Sequence, residues 1–508
     1  MTFSKATLLA SAGLLIAIPA MAQKSKDTLR IASNDPFPSL SQYHHPVAEA
    51  GVFYRKVYEQ MIAVDERKQK LVPMLAKSWK RVNPTTLEFT LREDIKFHNG
   101  NKFDAEDVKY TLDHIRDPKV KIRFKGRYTW MKNVEILGPY KIRITGKSVN
   151  AMDLGLVAYR MPIFDAETFK PYKNKADYGR FSPVGTGSYK VVKIDKSGTK
   201  VTRFDEFKGG SKYWRSPIKN IQSVPVPDRQ TQIAELLTGG VDMLRGISPD
   251  NAKAVAAKDG FEVTSLASGS FIFFGLDAIG RSGIKPLQDV RVRKAIWMAL
   301  DRDKIIKYIV PGGGQAEKLM GLCFSHNTAC SLNRKTVGYD LAHAKRLMKE
   351  AGYEKGFDME YDVFTPIKEV GEAIAGELLK INIRVKINPV TIGLYRKRQG
   401  KSLQNAFSVY YPTAGHPDAG NILNVMFKGS RDHFKDKIIH DAMAEGLKEF
   451  DTNKRAAIYQ RAFDRSNEMH YVMAFSSLPT VYAHNSTVQV KGSQLSAGDS
   501  HITDFFWK

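Results

Sequence analysis

The stretch PTTLEFTLREDIKFHNGNKFDAEDVKYTLDHI, residues 84–115, constrains this chain more than any other part of it. Leu87, Phe89 and Leu91 alternate with polar neighbours, the period of a half-buried strand, which the pattern predicts over residues 84–97. His98-Asn99-Gly100-Asn101 follows as a turn, built of residues that tolerate tight backbone angles. Asp104 is then placed to cap a helix, with Asp107 at its N3 position. Ala105, Val108, Leu112 and Ile115 recur on one helical face, and Pro118 stops the helix. A strand feeding a capped amphipathic helix needs a shared layer in which both bury their apolar sides. That is the grammar of an α/β protein.

The same grammar recurs without a repeated sequence. DTLRIAS, residues 27–33, reads as a strand. Asp289 caps a helix carrying Val292, Ala295, Ile296 and Ala299. Asp340 caps another, with Leu341, Ala344, Leu347 and Met348 inward and Gly352 as its C-terminal stop. Residues 367–380 read as a helix feeding a strand from Ile383 to Ile387, and Thr452 opens a long helix to about Met469. A length of 508 residues suits two or three domains, and 43% hydrophobic content suits a large packed core.

The first 22 residues read as a secretory signal peptide. Lys5 gives the positive start, Ala6 to Ile18 the apolar stretch, and Ala20-Met21-Ala22 the small-residue cleavage site. The stretch is shorter than the roughly 20 apolar residues of a membrane span. No Cys lies near the cut for a lipid anchor, so the mature chain is expected to begin near Gln23 and to work in the periplasm. In an oxidising compartment the pair Cys323 and Cys330, in GLCFSHNTAC, reads as a small-loop disulfide. With His326 between them a zinc site is the rival, but two Cys and one His at this spacing match no common zinc pattern. The net charge is +25, and +24 once Lys5 leaves with the signal. The basic residues form no dense block, and export argues against nucleic acid as a partner. The charge reads either as a solvated basic surface or as tuning to an anionic solute. No G-x-S-x-G, H-E-x-x-H or recognisable carboxylate pair supports an exported hydrolase, so an enzyme is not expected.

The longest motif block, LVPMLAKSWKRVNPTTLEFTLREDIKFHNGNKFDAEDVKYTLDHI, residues 71–115, resembles the family 5 extracellular solute-binding proteins of bacterial ABC importers, the peptide, nickel and opine group. The likeness runs through Pro73, Leu75, Ala76, Ser78, Trp79, Leu91, Arg92, Lys96, Phe97, His98, Gly100, Phe103, Ala105, Glu106, Asp107 and Val108. It continues at Val57-Tyr58-Glu59, at the Pro183-Val184-Gly185-Thr186-Gly187-Ser188-Tyr189 turn, at Leu237 to Asp242, and at the Asp289-Val290-Arg291-Val292-Arg293 helix start. These motifs read mostly as scaffold. Gly185 and Gly187 are expected to permit positive φ, and His98 to be structural.

The resemblance implies a large type II periplasmic binding fold, with two lobes around a ligand cleft and an extra inserted domain. It places the first lobe at 23–59, 181–284 and 481–508, the inserted domain at 60–180, and the second lobe at 285–480. It implies a monomer that closes on a small solute and hands it to the ABC permease subunits in the inner membrane, with no cofactor and no metal. Peptide-binding relatives hold the peptide amino group with an Asp in a cleft segment. The counterpart here, Val409 to Asn421, aligns Gly415 where that Asp would stand, and no carboxylate occurs from Phe407 to Pro417. A buried ammonium without counter-charge is strongly disfavoured. The expected solute is therefore neutral or anionic: opine-like, sugar-derived or acidic amino-acid-like. An oligopeptide- or dipeptide-binding member and a chemosensing receptor stay open as alternatives. Tyr410, Tyr411, His416 and Asp418 are the ligand-binding candidates of that segment. Tyr43, His44 and His45 are those of the loop after the first strand, and Arg384 and Arg396 read as anion clamps. Adjacent His44 and His45 point to opposite sides of an extended chain, which argues against their chelating a metal.

Overall fold

The strand and the helix that the period-two run announces both form, with one difference. The strand is Thr86–Leu91 and ends six residues before Phe97. It lies inside a four-stranded antiparallel sheet, between Ala76–Asn83 and Lys141–Gly146, with Met131–Gly138 beyond. Both of its faces are covered, so Glu88 is buried as well, and Arg143 neutralises it at 2.7 Å. The helix Ala105–Arg116 carries the expected capping box: Asp104 accepts from Glu106 N–H, and Asp107 Oδ2 accepts from Asp104 N–H at 3.0 Å. A cap of this kind contributes about 1 kcal/mol. Asp289, Asp340 and Asp451 cap Val290–Ala299, Leu341–Glu350 and Thr452–Glu468, each carboxylate accepting one first-turn N–H without the reciprocal bond of a capping box.

The computed structural model describes residues 27–491 and 505–508, apart from 35, 37–38, 46–47, 66–69, 182, 210–216, 313–314, 332–335 and 413–417. The expected signal peptide, Gly415 and His416 fall outside the described residues. Among the described residues no helix is long and apolar enough to cross a membrane.

Two larger sheets make the lobes. The first has seven strands, in the order Phe261–Leu266, Thr480–Asn485, Met243–Arg245, Thr28–Ser33, Asn220–Pro225, Gly198–Arg203, Tyr189–Asp195. The second has five: Ile383–Val390, Phe357–Phe364, Ala406–Pro412, Ser270–Leu276, Val472–Ser477. The strand Ser270–Leu276 thus lies in the second lobe, although a boundary at 284/285 assigns it to the first. It is apolar on both faces and pairs on both edges, as a central strand requires.

Two crossings join these sheets, one from Leu266 to Ser270 and one from Ser477 to Thr480. They are tied to each other: the Ser268 hydroxyl donates to Leu478 O at 2.6 Å, and Leu478 N–H donates to Ser270 O at 2.8 Å. One continuous core joins the inserted domain to the first lobe, from Leu29 and Tyr58 through Leu87, Phe89 and Ile144. The second lobe packs around its own cores, one near Ile296 and one near Phe463. The inserted domain thus shares its core with the first lobe, while the second lobe, reached through the two tied crossings, has cores of its own.

The turn glycines act differently from expectation. Neither Gly185 nor Gly187 has positive φ. A Cβ at Gly185 would stand 1.9 Å from Val57 O, and one at Gly187 2.1 Å from Lys56 O. They are glycine because the turn lies directly on the end of helix Ala48–Val57. His98 closes the same turn, its Nε2 on Gly187 O at 2.9 Å and its Nδ1 accepting from Gly185 N–H at 3.3 Å. The Cys323–Cys330 disulfide is present, with Cα atoms 6.0 Å apart. His326 stacks on Phe324 beside it.

Candidate functional site

The cleft wall on the inserted-domain side begins where Pro118 ends the helix. The chain runs to the turn Lys125–Arg127, entered through Phe124 at φ 55, a left-handed conformation unusual for a bulky side chain. The surroundings fix this segment. Lys125 Nζ donates to the carbonyls of Asp117 and Val120. Arg123 N–H donates to Tyr43 O at 2.8 Å. The result presents Arg123, Phe124 and Arg127 together. The Arg127 guanidinium lies 4.3 Å from the centre of the Phe124 ring, a cation–π contact.

A residue of the second lobe reaches the same ring. Arg396, on helix Ile392–Gly400, lies 5.3 Å from the same ring centre. Arg431, at the end of the turn Gly429–Arg431, is near enough to act on Arg396 electrostatically. Deeper in the cleft is Arg160, last residue of Asp153–Arg160, with Tyr54 and Tyr128 around it. Tyr411, on strand Ala406–Pro412, is acted on by Arg127, Arg160 and Arg431.

These groups act on one another electrostatically. Burial lowers the Arg160 pKa to about 10, and Arg127 and Arg55 add to the shift. Burial also lowers Arg396, helped by Arg123 and Arg431. Arg431 is lowered by burial, with Tyr411 and Tyr395 as its other neighbours. Burial raises the Tyr411 phenol, against the pull of Arg127, Arg160 and Arg431. Arg396 and Arg431 keep one side open to water, yet enough protein surrounds each guanidinium to lower its pKa. All stay charged at neutral pH, since an arginine titrates far above it. Among the described residues the groups acting on Arg396 and Arg431 are arginines and tyrosines, not carboxylates. A basic, phenol-lined cleft can bind and orient an anion.

The residues singled out from the sequence go to different places. Tyr43 is 0% exposed; its hydroxyl donates to Pro162 O and its ring packs edge-on against Tyr128 and Phe164. It supports the Arg123 segment through its carbonyl. His44 turns inward: Nδ1 meets the Ser41 hydroxyl at 2.9 Å and Nε2 meets His114 Nε2 at 3.5 Å. Burial and that second imidazole lower its pKa to about 4, while His45 is exposed. Among the described residues no three His, Cys, Asp or Glu side chains converge as a metal site would need. Tyr410 and Tyr411 point to opposite faces of their strand. Tyr410 packs on Phe364 in one core, while the Tyr411 hydroxyl accepts from Asn421 Nδ2 at 2.6 Å and feels the cleft arginines. Asp418 is buried, caps Ala419–Met426 and pairs with Arg455 at 3.0 Å. Arg384 stands exposed on the edge strand of the second sheet, paired with Asp358. Arg396 reaches the cleft. Arg123, Phe124, Arg127, Arg160 and Arg431 were not readable as site residues, because no motif surrounds them and only the tertiary fold brings them together.

With this geometry in view, the comparisons with known proteins are direct. The profile of the bacterial extracellular solute-binding proteins, family 5 (middle), matches residues 70–434. The chain belongs to that family. This family 5 protein is 24% identical over 479 residues to the glutathione-binding protein GsiB of Salmonella paratyphi A, covering 90% of each chain. Its fold is that of NikA from Brucella suis in complex with Fe(III)-EDTA, with a TM-score of 0.82, 22% identity, and 95% and 100% of the two chains covered. AgaA of A. tumefaciens R10, in complex with agropinic acid, superposes with a TM-score of 0.75 at 21% identity, covering 95% and 99%.

Proposed function

We propose that this chain is an exported solute receptor: it captures a small anionic solute between its lobes and passes it to the permease of an ABC importer, catalysing no reaction itself. One observation carries the reading. Arg127 and Arg396, one from each lobe, reach the same ring, and among the described residues the groups acting on Arg396 include no carboxylate. A peptide amino group would enter a field of like charge, with no acidic residue between Phe407 and Pro417 to receive it. Of the neutral and anionic solutes the sequence left open, the lining favours the anions. The structural neighbour AgaA is in complex with agropinic acid, which supports an acid as the solute. The paired crossings and the separate cores supply the hinge that closure needs.

A thermal-shift screen tests the reading, because a bound ligand raises the unfolding temperature by mass action. Small anionic solutes are expected to raise it, and ordinary dipeptides and tripeptides to leave it unmoved. A clear shift with ordinary peptides and none with anions would overturn it.

A further inference from the structure

The lining says more about the solute than its sign, on the premise that the cleft binds an anion. Arg123 and Arg127 belong to the body made of the inserted domain and first lobe; Arg396 and Arg431 belong to the other body. Phe124 is met by both sets, with Arg127 at 4.3 Å from its ring centre and Arg396 at 5.3 Å. None of these four arginines has an ion-pair partner among the described residues, whereas arginines of the scaffold are paired: Arg30 with Asp242, Arg81 with Asp153, Arg398 with Asp362. Each guanidinium carries five N–H donors in a planar fork, and one carboxylate is filled by one or two such forks. The set is therefore larger than a single anionic group can satisfy. Its division between two hinged bodies also makes like charges approach as the empty cleft closes.

We infer that the solute is a small molecule with at least two anionic groups, dicarboxylate or phosphorylated, one held by Arg123 and Arg127 and the other by Arg396 and Arg431, and that its charge is what permits the lobes to close. Arg160 and Tyr411, half-buried and acting on the same arginines, point to a small molecule rather than a membrane surface. Phosphate esters and polycarboxylates offer the same chemistry to the arginines, and binding experiments separate them.

Dialysed full-length mature protein would be incubated with a small-molecule cell extract, desalted, and its retained compound identified by mass spectrometry. In parallel, succinate, citrate and 3-phosphoglycerate would be titrated against monomethyl succinate, lactate and mannitol at constant ionic strength. The retained compound is expected to carry two or more negative charges at pH 7, and dianions to bind at least tenfold tighter than matched monoanions. Arg127→Gln and Arg396→Gln are each expected to weaken dianion binding at least tenfold while the ligand-free unfolding temperature stays level or rises. A merely structural arginine would lower that temperature too, and such a fall would overturn the assignment. A singly charged compound, retained and bound as tightly as any dianion, sinks this inference and leaves the anion-receptor reading standing. A neutral or cationic compound sinks both. Retention of nothing, with no response to any dianion, also sinks the inference.

Discussion

Arg396 and Arg398 lie two residues apart on the helix Ile392–Gly400 and meet opposite surroundings. Arg398 is held by Asp362 at 2.8 Å and by Glu360 at 2.6 Å, and Asn388 and Gln404 complete the shell around those carboxylates. Arg396 faces Arg123, Arg431 and the Phe124 ring. Positions i and i+2 of a helix point to different sides, so a single turn carries a scaffold arginine and a cleft arginine. A paired arginine costs stability when its partner is removed. A cleft arginine among its own kind should cost none, because its partner arrives with the solute.

The scaffold side of that contrast breaks most visibly at Asp362, whose side chain is 0% exposed while that of Arg398 is 21% exposed. Asp362→Ala leaves the guanidinium half satisfied and strips an acceptor from Gln404 and Asn388. Breaking a buried pair in this way costs about 3–5 kcal/mol. Urea unfolding of the ligand-free protein reads this, and a loss under about 1 kcal/mol would erase the distinction between the two arginines. A smaller scaffold effect is expected at the disulfide. Cys323 and Cys330 close a loop with a sequence separation of only 7, and Ala419 N–H donates to Thr328 O of that loop beside Asp418. Replacing both cysteines by Ser is expected to cost about 2–3 kcal/mol from the loop-closure entropy of so short a ring. Unchanged unfolding under reducing and oxidising conditions would contradict it.

The same contrast explains what the sequence could reveal. Asp104, Asp289 and Asp340 announce their helices because a cap acts on its own first turn, within three residues of chain. The block from Pro73 to Val108 was legible for the same reason. Its strand, turn and helix are contiguous, though strand Thr86–Leu91 ends earlier than the alternation suggests. Gly185 and Gly187 were recognisable as necessary, but not why: the constraint is the carbonyls of Val57 and Lys56, more than a hundred residues away in sequence. The cleft was least legible. Arg384 and Arg396 look alike as letters, yet one pairs with Asp358 at a sheet edge and the other meets Phe124 across the lobe boundary. Arg123, Arg127, Arg160 and Arg431 come from three separate segments and carry no local pattern.

A pH titration extends the comparison to neutral scaffold groups. Burial is the main cause that lowers His98 to about 4. The unfolded imidazole titrates near 6.5, so the unfolded chain binds the proton first as pH falls. The stability His98 gives is thus present above about pH 6.5 and lost as pH drops towards 4. Glu59 and Asp107 act in the opposite sense. Burial raises each to about 7, so their contribution is present below the ordinary carboxylate range and lost as pH rises through about 7. The two effects oppose each other between pH 4 and 7, and His98→Gln separates them. The variant is expected to lose about 1–2 kcal/mol of the acid-side decline between pH 6.5 and 4. An unaltered pH profile would show that the His98 ring is not held neutral by its turn.

The smallest stability effect is expected in the cleft. Arg431→Gln removes a charge that no carboxylate balances among the described residues, so the ligand-free protein is expected to unfold within about 0.5 kcal/mol of the parent. Its stability should rise slightly at low ionic strength, where repulsion from the neighbouring Arg396 is least screened. Loaded with its solute, the variant should lose about 1.5–3 kcal/mol of binding, the usual contribution of a hydrogen bond to a charged group. Calorimetric titration beside urea unfolding separates the two quantities. If Arg431→Gln instead destabilised the free protein as Asp362→Ala does, Arg431 would belong to the scaffold, and the line between the two kinds of arginine would have to be redrawn around Arg123, Arg127 and Arg396.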